Sequence, residues 1–207
     1  MARKIKMTKV ELKAQREALQ RFTRYLPTLQ LKKQQLQLEV QRIREERAQL
    51  LQEEKDYWEQ MMRWIYLLDD DSAGELERVV VPAEWKVRAR NIAGVDVPTF
   101  EALTFTSADL DLFTTPMWYD DIIRALEKLT EFALKRKLLE EQLAAVEDEL
   151  RVTTQRVNLF EKVKIPEAQE NIRRIQIFLG DQQAFAVGRA KIAKAKAATR
   201  RTAWGEQ

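Results

Sequence analysis

Apolar residues return in a 3,4 alternation at Ile122, Ala125, Leu129, Phe132, Leu139, Leu143, Val146, Leu150, Val157 and Phe160, broken only at Arg136 and Thr153. An alternation this long is the seam of a coiled coil and needs a second helix to cover it. It resumes beyond Pro166 at Ala168, Ile172, Ile175 and Leu179, one residue out of step with the earlier register. The N-terminal part of the chain holds a matching stripe. One heptad position there is apolar at Phe22, Leu29, Leu36, Ile43, Leu50, Tyr57 and Trp64, more repeats than a short amphipathic surface helix requires. Its companion position reads Leu12, Leu19, Leu26, Lys33, Val40, Arg47, Glu54, Met61 and Leu68. The charged members Lys33, Arg47 and Glu54 leave three readings open: snorkelling to the rim, setting the register, or meeting another protein.

Both helices have legible starts. Thr8-Lys9-Val10-Glu11 reads as a capping box, with Met7 and Leu12 placed for a hydrophobic staple. Thr115 suits an N-cap, Pro116 the first helical position, and Asp120 and Asp121 the positive end of the dipole. The first helix is expected over 8–68 and the second over 115–201, with kinks at Pro27 and near Pro166. Residues 1–7 form a basic lead and 202–207 a tail. Asp69-Asp70-Asp71-Ser72-Ala73-Gly74 ends the first helix, its carboxylates opposing the dipole; the spacing and terminal Glu of a calcium loop are absent, which favours a solvated turn. If the chain turns back there, facing residues sum to about 185, the helices are antiparallel at about 90 Å and about 125 Å long, and the second overhangs by roughly 30 Å. Pro27 then faces Asn158.

Between the helices, in 69–114, the hydrophobic period changes from 3.6 to 2. Trp85, Val87 and Ala89 alternate with Lys86, Arg88 and Arg90, a strand with one apolar and one cationic face. Asn91-Ile92-Ala93-Gly94 has the residues of a type I turn. A second strand follows from Val95, and Pro98 marks it as an edge. A lone hairpin is marginal in water, so it is expected to lie against the aromatic end of the helices, around Tyr57, Trp58, Met61, Met62, Trp64, Ile65 and Tyr66, or against another subunit. The expected fold class is mostly α: one extended rod, a long antiparallel two-helix coiled coil with a short central β-hairpin.

Composition excludes whole classes of chemistry. The chain has no Cys and no His, which removes thiolate and imidazole metal sites, disulfides, the Cys nucleophile and the usual general base at neutral pH. No phosphate-cradling glycine loop and no clustered acid and base stand out. No cofactor is expected. No apolar run approaches the roughly 20 residues that span a bilayer, and no signal-peptide core follows the basic start, so a cytoplasmic protein is expected. Net charge is +3, but both ends are basic and the body between them is acidic.

Thr8-Lys9-Val10-Glu11-Leu12, the central Val87-Arg88-Ala89-Arg90-Asn91-Ile92-Ala93-Gly94-Val95-Asp96-Val97-Pro98-Thr99-Phe100-Glu101, and Arg156-Val157-Asn158-Leu159-Phe160-Glu161-Lys162-Val163-Lys164-Ile165-Pro166 resemble the D subunit of the vacuolar and archaeal-type (V/A-type) rotary ATPases. They occur in that family's order and cover nearly the whole chain. The resemblance implies a non-catalytic central-stalk rotor shaft that couples ATP hydrolysis or synthesis to rotation of the membrane ring and to proton or sodium movement. Its implied partners are the hexamer of catalytic A and B subunits, the small F subunit, and the funnel-shaped subunit above the membrane ring. Membrane association would be indirect, through the complex. A hexamer-facing tip would carry Lys9, Lys13, Arg16, Arg189, Lys191 and Lys194, and a partner-facing hairpin end Val87, Arg88, Arg90, Ile92, Val95 and Val97. The first helix departs from the family's commoner Gly and Lys/Arg-rich block at Tyr25 to Leu36. A prefoldin-like holdase, also built on two helices and hairpins, is the alternative; a nucleic-acid binder using the basic ends is a third reading.

Overall fold

A computed structural model describes residues 5–65, 80, 82–106 and 119–204. Its elements are α1 (Lys9–Ile65), β1 (Pro82–Ile92), β2 (Val95–Phe105), α2 (Tyr119–Leu159), a π-helical turn (Phe160–Lys164) and α3 (Ile165–Trp204). The mostly helical fold with a central hairpin is therefore as expected. The Asp69–Gly74 turn, the Thr115 cap and the side chains of Trp64, Ile65 and Tyr66 lie outside the described residues. The chain divides into two compact units, Met1–Leu31 with Thr154–Gln207, and Lys32–Thr153.

In the Lys32–Thr153 unit, α1 and α2 pair antiparallel across the expected seam. Leu36, Val40, Ile43, Leu50 and Met61 of α1 and Ile122, Ala125, Phe132 and Val146 of α2 are buried. Fully burying one such large aliphatic side chain stabilises the fold by roughly 1.5–3 kcal/mol. Charges in and beside the two stripes pair across the helices. Arg47 Nη2 lies 3.1 Å from Glu140 and Arg136 Nη1 3.3 Å from Glu54, while Lys32 pairs with Glu149 and Arg44 with Glu147. Tyr57 packs on Phe132 with ring centroids 5.9 Å apart. Along these pairs the numbers rise in α1 as they fall in α2.

The hairpin corrects three expectations. Ala93 has φ 50° and Gly94 φ 85°, and Ile92 pairs directly with Val95, so the connection is a two-residue turn of the type I′ kind over Ile92–Val95. A type I turn over Asn91–Gly94 would splay the strands, whereas the primed turn follows their right-handed twist. Asn91 still caps the bend: its Oδ1 accepts the Gly94 N–H at 3.0 Å and its Nδ2 donates to Asp96. The second correction concerns faces. Trp85 and Val87 remain 46% and 39% exposed, while Val97, the partner of Arg90, is only 1% exposed. The third concerns place. The tip of the hairpin does not lie at the aromatic end; Ile92, Val95 and Val97 close over Leu36, Val40, Ile43 and Val146.

The unit formed by Met1–Leu31 and Thr154–Gln207 is a second antiparallel pair, of α1 with the π turn and α3. Thr8 Oγ1 accepts the Glu11 N–H at 3.3 Å, as a capping box requires. The reciprocal half is missing, because Glu11 accepts Gln15 Nε2 and the Thr8 N–H goes to the Lys6 carbonyl. Helix α1 continues through Pro27 without a break. Phe22 meets Phe160 at 5.2 Å between centroids, and Asn171 Nδ2 donates to Gln15 Oε1 at 3.5 Å. Val157, Ala168, Asn171 and Ile175 are buried. Asn171, next to the expected seam residue Ile172, is the more deeply buried of the two because Gln15 receives its amide. Near Pro166 the helix does not break: the Ile165 N–H reaches back to the Phe160 carbonyl, five residues away, in a π turn.

Candidate partner-binding surfaces

Among the described residues, no group of three or more His, Cys, Asp or Glu side chains could hold a metal ion, and no helix is long and apolar enough to cross a membrane. The surface features are instead a cleft, an exposed strand face and two sets of cations. The cleft, of about 380 Å³, runs between α1, α2 and the hairpin. Its floor is Ile43, Leu50, Leu138 and Leu139. Glu39, Glu46 and Glu53, one residue per heptad, line its α1 side. Arg90 of β1 and Lys135 of α2 face that acidic row from the other walls. Arg42 pairs with Glu46 at 3.0 Å, and the Lys135 ammonium sits 5.1 Å from the centre of the Phe100 ring. Such a surface, apolar within and charged at the rim, has the make-up of a protein contact.

Gln142 positions the hairpin over this cleft. Its Nε2 donates to the Pro98 carbonyl, on a strand whose proline cannot donate to the ladder and so suits an edge. Leu138 and Gln142 are buried although neither belongs to the α1–α2 seam. The sequence signal for them is weak, since a covered position on a second helix face shows only once the hairpin is known to lie there. The acidic row has a plainer signal, a seven-residue repeat.

The expected hairpin residues divide by face. Val97 is spent on the chain's own core, and Ile92 and Val95 pack against it. Val87, Arg88 and Arg90 are exposed. At the other surface, Lys9, Lys13, Arg16, Arg189, Lys191 and Lys194 are all exposed, and Lys13 lies 3.9 Å from Glu17. Counting outward from the Gln15–Asn171 contact, Lys9 is level with about residue 177, so Arg189 stands roughly 18 Å further along α3. The two basic groups are thus strung along one line instead of meeting side by side.

The sequence family described as the ATP synthase D subunit matches residues 11–195. The chain belongs to that family. Its members include a protein of Borreliella burgdorferi named as the D subunit of a V-type ATP synthase, 42% identical over 92% of this chain and 94% of its own length. Proteins of the same name from Chlamydia pneumoniae and Chlamydia muridarum are 35% and 34% identical, each over 95% of this chain and over 94% and 97% of their own lengths. The match to the D-subunit family takes in both helix pairs, the hairpin, the cleft and the π turn, so these are parts of a D subunit and not additions to it.

Proposed function

We propose that this chain is the non-catalytic central-stalk rotor shaft of a V/A-type rotary ATPase. It turns inside a hexamer of three A and three B subunits, binds the small F subunit on its side, and seats on the funnel-shaped subunit above the membrane ring. Rotation couples ATP hydrolysis or synthesis to movement of protons or sodium ions, and the chain is peripheral to the membrane through the complex.

The observation that carries this reading is the pairing of α1 with α2 by both apolar and ionic contacts, with Arg136 on Glu54 and Arg47 on Glu140 bridging the seam. A shaft must pass torque between its ends. Sliding one helix past the other would separate these charges and misalign Leu36, Ile43 and Val146, so the pair resists shear better than an apolar seam alone. The exposed cations Lys9, Lys13, Arg16, Arg189, Lys191 and Lys194 suit low-specificity attraction to successive catalytic interfaces, because long-range charge attraction does not demand one pose. Val87, Arg88 and Arg90, exposed on the hairpin that Ile92, Val95 and Val97 fasten to the helices, are the residues offered to the stalk partners.

The test is purification of the tagged chain from its own cells in mild detergent, with subunit masses and magnesium-dependent ATP hydrolysis measured on the eluate. One copy with three pairs of large nucleotide-binding subunits and active hydrolysis is expected. Self-oligomers holding unfolded clients, as a prefoldin-like chaperone would give, or bound nucleic acid without ATPase, would overturn the reading.

A further inference from the structure

Two apolar rows compete for the inner side of α3. Counting in heptads from Val157, the row continues through Lys164 and Asn171 to Phe178, Phe185 and Ile192; from Phe160 it passes Glu167, Arg174 and Asp181. The structure does not use that register. It buries Ala168 and Ile175, each one residue later than Glu167 and Arg174, with Asn171 of the first row still buried against Gln15; Phe178, Phe185 and Ile192 lie level with or beyond the start of α1 and are 41%, 70% and 59% exposed. The change of register falls within the π turn, Phe160–Lys164, where the Ile165 N–H bonds the Phe160 carbonyl. A π turn absorbs one residue more than an α turn. The one-residue displacement and the one-residue surplus coincide.

We infer that the π turn is a register insert: it stores one residue so that α3 presents Ala168 and Ile175 to α1 in place of Glu167 and Arg174. Without it, each downstream residue stands about 100° away around the helix axis, and Glu167 and Arg174 enter the seam. The insert is held from both sides. Moving it toward the N-terminus would replace Val157 and Phe160 in the seam by Asn158 and Glu161, and would break the Phe22–Phe160 ring contact. Moving it past Ala168 would bring Glu167 inward. Pro166 lacks an N–H and is accommodated by the widened turn just before it, but on this account it follows the insert and does not cause it. A turn with no buried residue of its own is thereby fixed by its neighbours' packing.

The chain has no cysteine, so disulfide trapping reads the register directly in the full-length protein. Ala18, Glu167 and Ala168 line the same cleft between α1 and α3, but of the last two only Ala168 is buried. Ala18→Cys with Ala168→Cys is expected to oxidise to a cross-link at least tenfold faster than Ala18→Cys with Glu167→Cys. The same preference is expected after Pro166→Ala, and after deletion of Val163, which removes the surplus residue and leaves a regular helix with Ala168 still inward. Reversal of the preference in the Pro166→Ala protein would assign the π turn to the proline and overturn the insert. Loss of the preference, or loss of helical circular dichroism, in the deletion protein would overturn it as well, since an insert can be removed without turning α3.

Discussion

The Arg136 guanidinium of α2 donates to both carboxylate oxygens of Glu54 on α1, each at 3.3 Å, at a seam position where both helices interrupt their apolar stripe. The Glu54 side chain is only 16% exposed and that of Arg136 41%. A charge this sheltered is tolerated because its partner is across from it. Removing one member leaves the other stranded: Glu54→Leu or Arg136→Leu alone is expected to destabilise the protein by about 1–2 kcal/mol. The double replacement should recover most of that loss, as an apolar pair restores a continuous seam. Thermal unfolding followed by circular dichroism over the four proteins of the cycle gives the coupling; additive losses would deny the pair any role.

Val97 holds the hairpin onto the helices. Val97→Ala removes two methyl groups from a 1%-exposed site and should cost about 1–2 kcal/mol. Hydrogen exchange of β1 and β2 amides should speed up while α1 and α2 amides keep their protection. Equal acceleration in hairpin and helices would instead make the hairpin part of one cooperative unit with them.

Gly94 separates backbone strain from crowding. A Cβ built there meets only Lys32 Nζ, at 3.9 Å, so there is room for a side chain, yet φ is 85°. Gly94→Ala is therefore expected to lose about 1–2 kcal/mol through the left-handed backbone alone. Gly94→Asn should lose less, because Asn tolerates this region better than Ala. Equal losses for Ala and Asn would mean the backbone relaxes out of the positive region.

The proposed tip charges predict a salt dependence. Replacing Lys9, Lys13, Lys191 and Lys194 with Gln should weaken binding to the catalytic hexamer or lower coupling efficiency at low ionic strength. The difference from the parent should vanish near about 1 M salt, where the screening length is about 3 Å. Unchanged affinity and coupling at low salt would remove the charges from the mechanism.

The seam is legible in the sequence because a coiled coil writes its contacts at fixed spacing: Leu36, Ile43, Leu50, Val146 and Val157 are buried where the period puts them. Glu54 and Arg136, read one helix at a time, look like defects; their complementarity shows only when the helices are laid together. The one-residue slip after Pro166 is visible too, but a slip does not say whether a kink, a loop or a π turn absorbs it. In the hairpin, Trp85, Val87 and Ala89 make a plausible inner face, and it is the cross-strand partner Val97 that decides otherwise. A two-stranded ribbon has too few side chains for alternation to fix which face is covered. Gln142 stays hidden because its partner is a backbone carbonyl, and backbone acceptors leave no residue signature.

Among the described residues, strand β1 also leaves a row of eleven residues along the side of a two-stranded sheet. Such an edge is a template on which another chain can grow, and long unguarded edges seed fibres. Here Lys86, Arg88 and Arg90 place a cation at every second position, and the pairing slips between Lys86 and Val87. A second copy docking edge to edge would have to bring two such rows of like charge together along an irregular strand. The same three side chains that give the hairpin its charged face thus oppose edge-to-edge pairing of two copies.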